Sequence, residues 1–157
     1  MSDNFLQVND AWKAILFVQT RLVSDLEEHA GVHGLIDPGT FHVLGVLMTA
    51  ERKIRFKHLS ERVLIKRAGL SRLLLRLETD QLIRREPCED DDRGVNVILT
   101  DKGQAIFEAA YPVYRKRLEE RFGAHLKLEE LQQLTEILHK ILNANDWSTA
   151  IDQRLAK

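Results

Sequence analysis

Apolar residues recur at three- and four-residue steps near the start of the chain, at Phe5, Val8, Trp12, Ile15, Leu16, Leu22, Val23 and Leu26. That spacing marks one face of a long amphipathic helix over 5–26, expected to fade at Gly31 and Gly34. Asp37-Pro38 then supplies an N-cap followed by proline at the first helical position, opening a second helix through Phe41, Leu44, Leu47 and Met48. Residues 54–56 read as a very short strand, 59–63 as a short helix, 64–65 as a turn, and 66–80 as a helix with Leu70, Leu73, Leu74 and Leu77 on one side.

From Leu82 the period changes. Residues 82–87 and 95–99 read as strands, joined by a polar link over 88–94 that ends in glycine, which predicts a β-hairpin with a long tip. Thr100 caps the next helix, Asp101 complements its dipole, and its apolar stripe is expected to run Ala105, Ile106, Ala109, Val113, Leu118, Phe122. A last helix carries Leu128, Leu131, Leu134, Leu138, Ile141 and Leu142. Trp147, Ile151 and Leu155 at four-residue steps predict a docked helical tail. The expected fold is therefore mainly α with a small β-hairpin wing: a winged helix-turn-helix over 37–103, and a helical dimerisation region over 1–36 and 104–157. The terminal stripes exceed what one small domain can cover, so they are expected to pair with each other and with a second copy.

The 157 residues and 44% apolar content suit one domain with helical extensions. Charge is unevenly spread. Residues 52–85 hold eleven Lys or Arg against three acids, while the remainder holds 12 basic and 21 acidic residues. A basic third on an acidic scaffold fits a polyanion-binding module, although charge alone favours a solvated face. No stretch is long and apolar enough to span a membrane, so the protein is expected to be soluble and cytoplasmic with no membrane partner. The single cysteine, Cys88, excludes an internal disulfide and a Cys-based zinc site.

The stretch Gly69 to Glu86, followed by Asp91 to Gly103, strongly resembles the MarR family of bacterial transcriptional regulators. The most specific part is the wing signature Asp-x-Arg followed by Leu-Thr-x-x-Gly, here Asp91, Arg93, Leu99, Thr100 and Gly103. The resemblance covers roughly 38–142, and the helix over 5–26 looks like the family's first dimerisation helix. It implies a homodimeric, double-stranded DNA-binding regulator, commonly a repressor, whose DNA affinity falls when a small aromatic or phenolic effector binds.

On a helical wheel, clustering of the four leucines turns Ala68, Ser71, Arg72, Leu75, Arg76 and Thr79 outward. Arg72 and Arg76 can bind guanine or phosphate, Ser71 permits close backbone approach, and Ala68 can touch a thymine methyl. Lys57, Lys66 and Arg67 cluster near the starts of the two helices, where both lysines are poor caps but suit phosphate. Leu75 is apolar where the family more often is polar, and either meets thymine methyls or packs against a neighbour. Arg84 and Arg85 on the first strand and Arg93 near the tip are further contacts, Arg93 resembling the wing arginine that enters the minor groove and Asp91 the acid that orients it. Asp90 and Asp92 add repulsion toward phosphate.

By the same resemblance, Trp12, Phe17, Phe41, His42 and Arg55 are candidates for an effector pocket, with Trp12, Phe17 and Phe41 weighed against an ordinary core or dimer role. The aspartates 90–92 lack EF-hand spacing. His29, His33 and His42 with Glu27 or Glu28 are a weak zinc set, and neither a metal nor a cofactor is expected. No phosphate loop or nucleophile elbow is present, which argues against an enzyme. The competing class is a winged-helix protein-interaction module that does not bind DNA.

Overall fold

The computed structural model describes residues 3–89, 91–145 and 147. Among these described residues, six α-helices and three strands follow in the order α1 (Asp3–Val32), α2 (Pro38–Thr49), β1 (Lys53–Arg55), α3 (Phe56–Arg62), α4 (Arg67–Thr79), β2 (Ile83–Cys88), β3 (Asp91–Leu99), α5 (Asp101–Arg121) and α6 (Leu128–Ala144), with a 3-10 turn at Gly123–His125 between the last two. A mainly helical chain with a small antiparallel sheet is the expected class.

The helix-turn-helix core is built from one apolar face per element. Val43, Leu44 and Leu47 of α2, Leu59 of α3 and Leu70, Leu74 and Leu77 of α4 close over Ile54, Ile83, Val97 and Leu99 of the sheet, all of them buried. A smaller cluster forms where the end of α1 meets α5, from Ala30, Ala110 and Tyr114 with Leu26, Ile36 and Phe41 packed against them. There the Arg117 guanidinium donates to both oxygens of Asp25, at 2.6 and 2.7 Å, a two-pronged tie between α5 and α1.

Several local expectations change. Helix α1 runs through Gly31 and stops at Gly34, whose φ of +62° is the left-handed cap residue, with Leu35 N–H donating to Ala30 O at 2.9 Å. Helix α4 ends the same way without glycine: Gln81 takes a φ of +61° and Leu82 N–H reaches Leu77 O at 2.8 Å. The short first strand joins the hairpin, giving sheet order β1-β3-β2, with Ile54 and Arg85 both opposite Val97. The hairpin tip is shorter than its composition suggested, because β3 begins at Asp91. Its register jumps from Pro87↔Val95 to Cys88↔Asp91, an irregularity that places three extra residues in β3 within the acid-rich stretch.

The α5 stripe is rotated from the expected one. Ala105 and Ala109 are exposed, whereas Gly103, Ala110 and Tyr114 are buried. Tyr114, which the expected stripe leaves out, buries its ring while its hydroxyl donates to Ile36 O at 2.6 Å. Trp147 is 62% exposed rather than docked on its own protomer, and Ile151 and Leu155 lie outside the described residues. Among the described residues, no helix is long and apolar enough to cross a membrane.

Candidate nucleic-acid interface

Helix α4 divides its side chains as the wheel required. Leu70, Leu74 and Leu77 are sealed in the core, while Ala68, Ser71, Arg72, Leu75, Arg76 and Thr79 are exposed. The two helices of the motif begin without side-chain caps, at Arg55 for α3 and Lys66 for α4. Lys57 and Lys66 therefore place positive charge at helix ends whose dipoles already carry positive potential, and both residues are exposed. Such charge is tolerable in water and favourable beside an anion. Arg67 stacks over the Phe56 ring, 5.5 Å from its centroid, which joins the first turns of α4 and α3.

Arg76 has a structural partner. Its Nη2 donates to Asp37 Oδ2 at 2.6 Å and to Thr40 Oγ1 at 2.9 Å, while Asp37 Oδ1 accepts from Thr40 N–H at 3.0 Å to cap α2. Burial pushes the Asp37 carboxyl pKa up, but the two Thr40 bonds and the Arg76 charge outweigh it and leave the group below the ordinary carboxylate range. This arginine thus ties α4 to the start of α2.

Arg84 and Arg85 cannot face the same way, because successive strand residues point to opposite sides of a sheet. Arg85 turns inward, its Nε donating to Glu78 Oε2 of α4 at 2.8 Å and its backbone N–H to Oε1 at 3.2 Å. Those side-chain bonds, against the opposing effect of burial, hold the Glu78 carboxyl below its usual pKa. Arg84 turns outward, pairs with Glu86 at 3.0 Å, and lies in one cross-strand row with Ile98 and Lys53. Both arginines were expected to contact DNA, whereas the pleat separates them. Asp91 and Arg93 fall on β3 at the far end of the hairpin, Asp91 opposite Cys88.

The hairpin base is locked to α5 by the motif that carried the resemblance. Thr100 Oγ1 accepts from Gly103 N–H at 3.0 Å and is itself within 2.7 Å of Gln81 O and 3.0 Å of Leu82 O. A Cβ on Gly103 would lie 2.1 Å from that Leu82 oxygen, so glycine is required by close backbone approach. Arg52 closes the other side, its Nη2 donating to Asp101 Oδ1 at 2.6 Å and Leu99 O at 3.2 Å.

The five effector candidates are not gathered into one site. Trp12 and Phe17 are exposed on α1, and Phe17 shares a shallow groove with Lys13, Leu16, Thr20, Arg21 and Ser24 of the same helix. Phe41 instead stacks on Tyr114 at 4.1 Å and Phe107 at 4.9 Å between centroids, with Tyr111 beyond at 6.4 Å. His42 is exposed as a residue, yet desolvation of its ring lowers its pKa against the raising effect of a hydrogen bond to the Arg62 backbone. Arg55 is the last residue of β1. The aromatic set on α5 was missed, although Phe107, Tyr111 and Tyr114 stand at four- and three-residue steps. His29 and His33 place their rings 4.4 Å apart, and among the described residues no three His, Cys, Asp or Glu side chains converge as metal ligands.

Residues 33–94 match the MarR family profile. A MarR family transcriptional regulator of Streptomyces coelicolor, solved in complex with DNA, superposes with a TM-score of 0.80 at 25% identity, over 87% of this chain and 86% of that one. The HTH-type transcriptional regulator SarZ of Staphylococcus epidermidis is 30% identical over 102 residues, which is 64% of this chain and 67% of that protein. The homoprotocatechuate degradative operon repressor of Escherichia coli is 32% identical over 90 residues, a match spanning 55% of this chain and 58% of the repressor's own length. With its helix-turn-helix core, three-stranded wing sheet and Leu99-Thr100-x-x-Gly103 lock, the chain belongs to the MarR family of transcriptional regulators.

Proposed function

We propose that the chain binds double-stranded DNA as a homodimer and represses transcription from a pseudo-palindromic operator. The observation that carries this reading is the solvent face of α4, which holds Arg72 among small side chains on a helix whose other face is anchored in the core. In this reading α4 lies in the major groove, with Ala68, Ser71 and Arg72 toward base edges and Lys57, Lys66 and Arg67 toward phosphates. Arg93 enters the minor groove, oriented by Asp91. Arg76 and Arg85 act by holding α4 in place, and Arg84 supplies charge on the outer sheet face.

Residues 37–103 are the DNA-binding unit, and 1–36 with 104–157 the dimerisation region. Support comes from Phe5, Trp12 and Phe17 on α1 and Ile137 and Ile141 on α6, all exposed, and from α6 burying no residue within its own protomer. An aromatic or phenolic effector is the regulatory ligand, and of the five candidates Phe41 has the best support because it already sits among three aromatic rings. Repression accords with the repressor that aligns with this chain.

Gel shift and footprinting across a salt series test the reading. Two protected half-sites about 34 Å apart are expected, with affinity that falls steeply as salt rises. Protection of one half-site, salt-independent affinity, or a folded monomer at micromolar concentration in sedimentation each contradicts it.

A further inference from the structure

The exposed face of α4 is less able to donate hydrogen bonds than its composition suggests. Ala68, Ser71, Leu75 and Thr79 are all exposed and fall within an arc of about 80° on the wheel. Leu75 stands near the centre of that arc and is 58% exposed, so no neighbour in the protomer covers it. Both hydroxyls beside it are turned back onto the helix: Ser71 Oγ donates to Arg67 O at 3.1 Å, and Thr79 Oγ1 donates to Leu75 O at 2.9 Å. Each hydroxyl carries one proton, and that proton is used internally. The middle of the face therefore offers aliphatic carbon where a groove-reading helix often offers amide or hydroxyl donors. Arg72 shares this face, and Lys57 and Lys66 are exposed at the starts of the two helices, so the stripe is set among positive charge that complements a polyanion.

In the major groove, the C5 methyl of thymine is the apolar group that a base edge presents. We propose that Leu75 is a specificity-determining residue that reads thymine through its methyl group, so that each half-site carries thymine beneath the middle of α4. This rests on the reading of α4 as the groove helix and deepens it. Recognition here is a burial effect: a methyl and an isobutyl group leave water together, which a cytosine or uracil edge at the same place cannot match.

The test uses the full chain and duplexes selected from a random library by the chain itself. Each thymine in the selected site is replaced by deoxyuridine, which removes the methyl and keeps every hydrogen-bonding atom. At one thymine position per half-site the parent should lose about fourfold in affinity per methyl removed, the worth of one buried carbon. The Leu75→Ala chain, altered only at an exposed side chain, should bind the thymine and deoxyuridine duplexes alike at that position while keeping the parent's preference elsewhere. Placing 5-methylcytosine there in a cytosine duplex should restore part of the parent's affinity and none of the variant's. Sequence-selective binding with deoxyuridine penalties equal in parent and variant overturns this inference alone. A chain that binds no duplex removes the groove reading and the inference together.

Discussion

Replacing Gly103 by alanine should be the most damaging one-carbon change in the wing region, and its size can be worked from the backbone. The new Cβ would stand 2.1 Å from Leu82 O and 3.0 Å from Leu82 C, whereas ordinary contact begins at 3.4 Å, so strand and helix must separate by about 1.3 Å. The obstacle is a carbonyl held from several sides: Thr100 N–H donates to Leu82 O at 3.1 Å and Thr100 Oγ1 lies 3.0 Å from it. Overpacking of this kind costs about 1–3 kcal/mol, and each weakened hydrogen bond adds about 1 kcal/mol. Alanine's better helix propensity returns about 1 kcal/mol. The net is a loss of about 2–4 kcal/mol, or a fall in Tm on the order of 10 °C at this chain length. Urea unfolding at fixed protein concentration measures it, as a lower midpoint with an unchanged slope. Gly31→Ala is the control, because nothing lies within 4 Å of a Cβ there. Its expected effect is a gain of up to about 1 kcal/mol. If Gly103→Ala were as harmless as Gly31→Ala, the strand-to-helix lock described above would be wrong.

Tyr114→Phe should cost about 1–3 kcal/mol by leaving the Ile36 carbonyl unpaired. In the parent, burial of this phenol, reinforced by Asp37 and Glu27, raises its pKa to about 12. Its contribution is therefore complete below the unfolded tyrosine value near 10 and lost as pH climbs toward 12, so an absorbance titration should show one late phenolate that the variant lacks. The Arg117 bonds, against burial, hold the Asp25 carboxyl below its ordinary pKa, so its stabilisation is present above the unfolded carboxylate value near 4 and lost as pH falls. Asp25→Asn should flatten the acid side of the stability profile, and an unchanged profile would exclude the α1–α5 tie as a contributor. Gln81→Gly should raise the unfolding free energy by about 1 kcal/mol, seen as a higher urea midpoint, since the left-handed conformation at φ +61° is strained for a side chain.

Periodicity carried much of this fold because most core positions are aliphatic. The leucines of α4 specify which face turns inward, and the Asp37-Pro38 start appears where its chemistry requires, whereas the alternation expected over 95–99 gives way to three consecutive buried residues, Val97, Ile98 and Leu99, with Val95 exposed. Misreadings came where a residue's class hid its behaviour. Tyr114 and Arg117 count as polar, yet one is buried and the other forks onto Asp25, which turned the inner face of α5 away from the expected stripe. Helix ends at Gln81 carry no glycine to announce them. Charge counting placed eleven cations over 52–85, but Arg52, Arg76 and Arg85 reach Asp101, Asp37 and Glu78. These acids lie 49, 39 and 7 residues away. Pairings of that kind depend on the folded topology, so a local tally overstates the positive face. The outward set on α4, by contrast, needed only the helical repeat.

The inward turn of Arg85 has a consequence for cost. With β2 fastened to α4 through Glu78, the hairpin and the helix keep one relative orientation before any partner arrives. A polyanion engaging both elements then orders neither against the other, and the entropy loss that a hinged hairpin would impose at binding has already been met in folding.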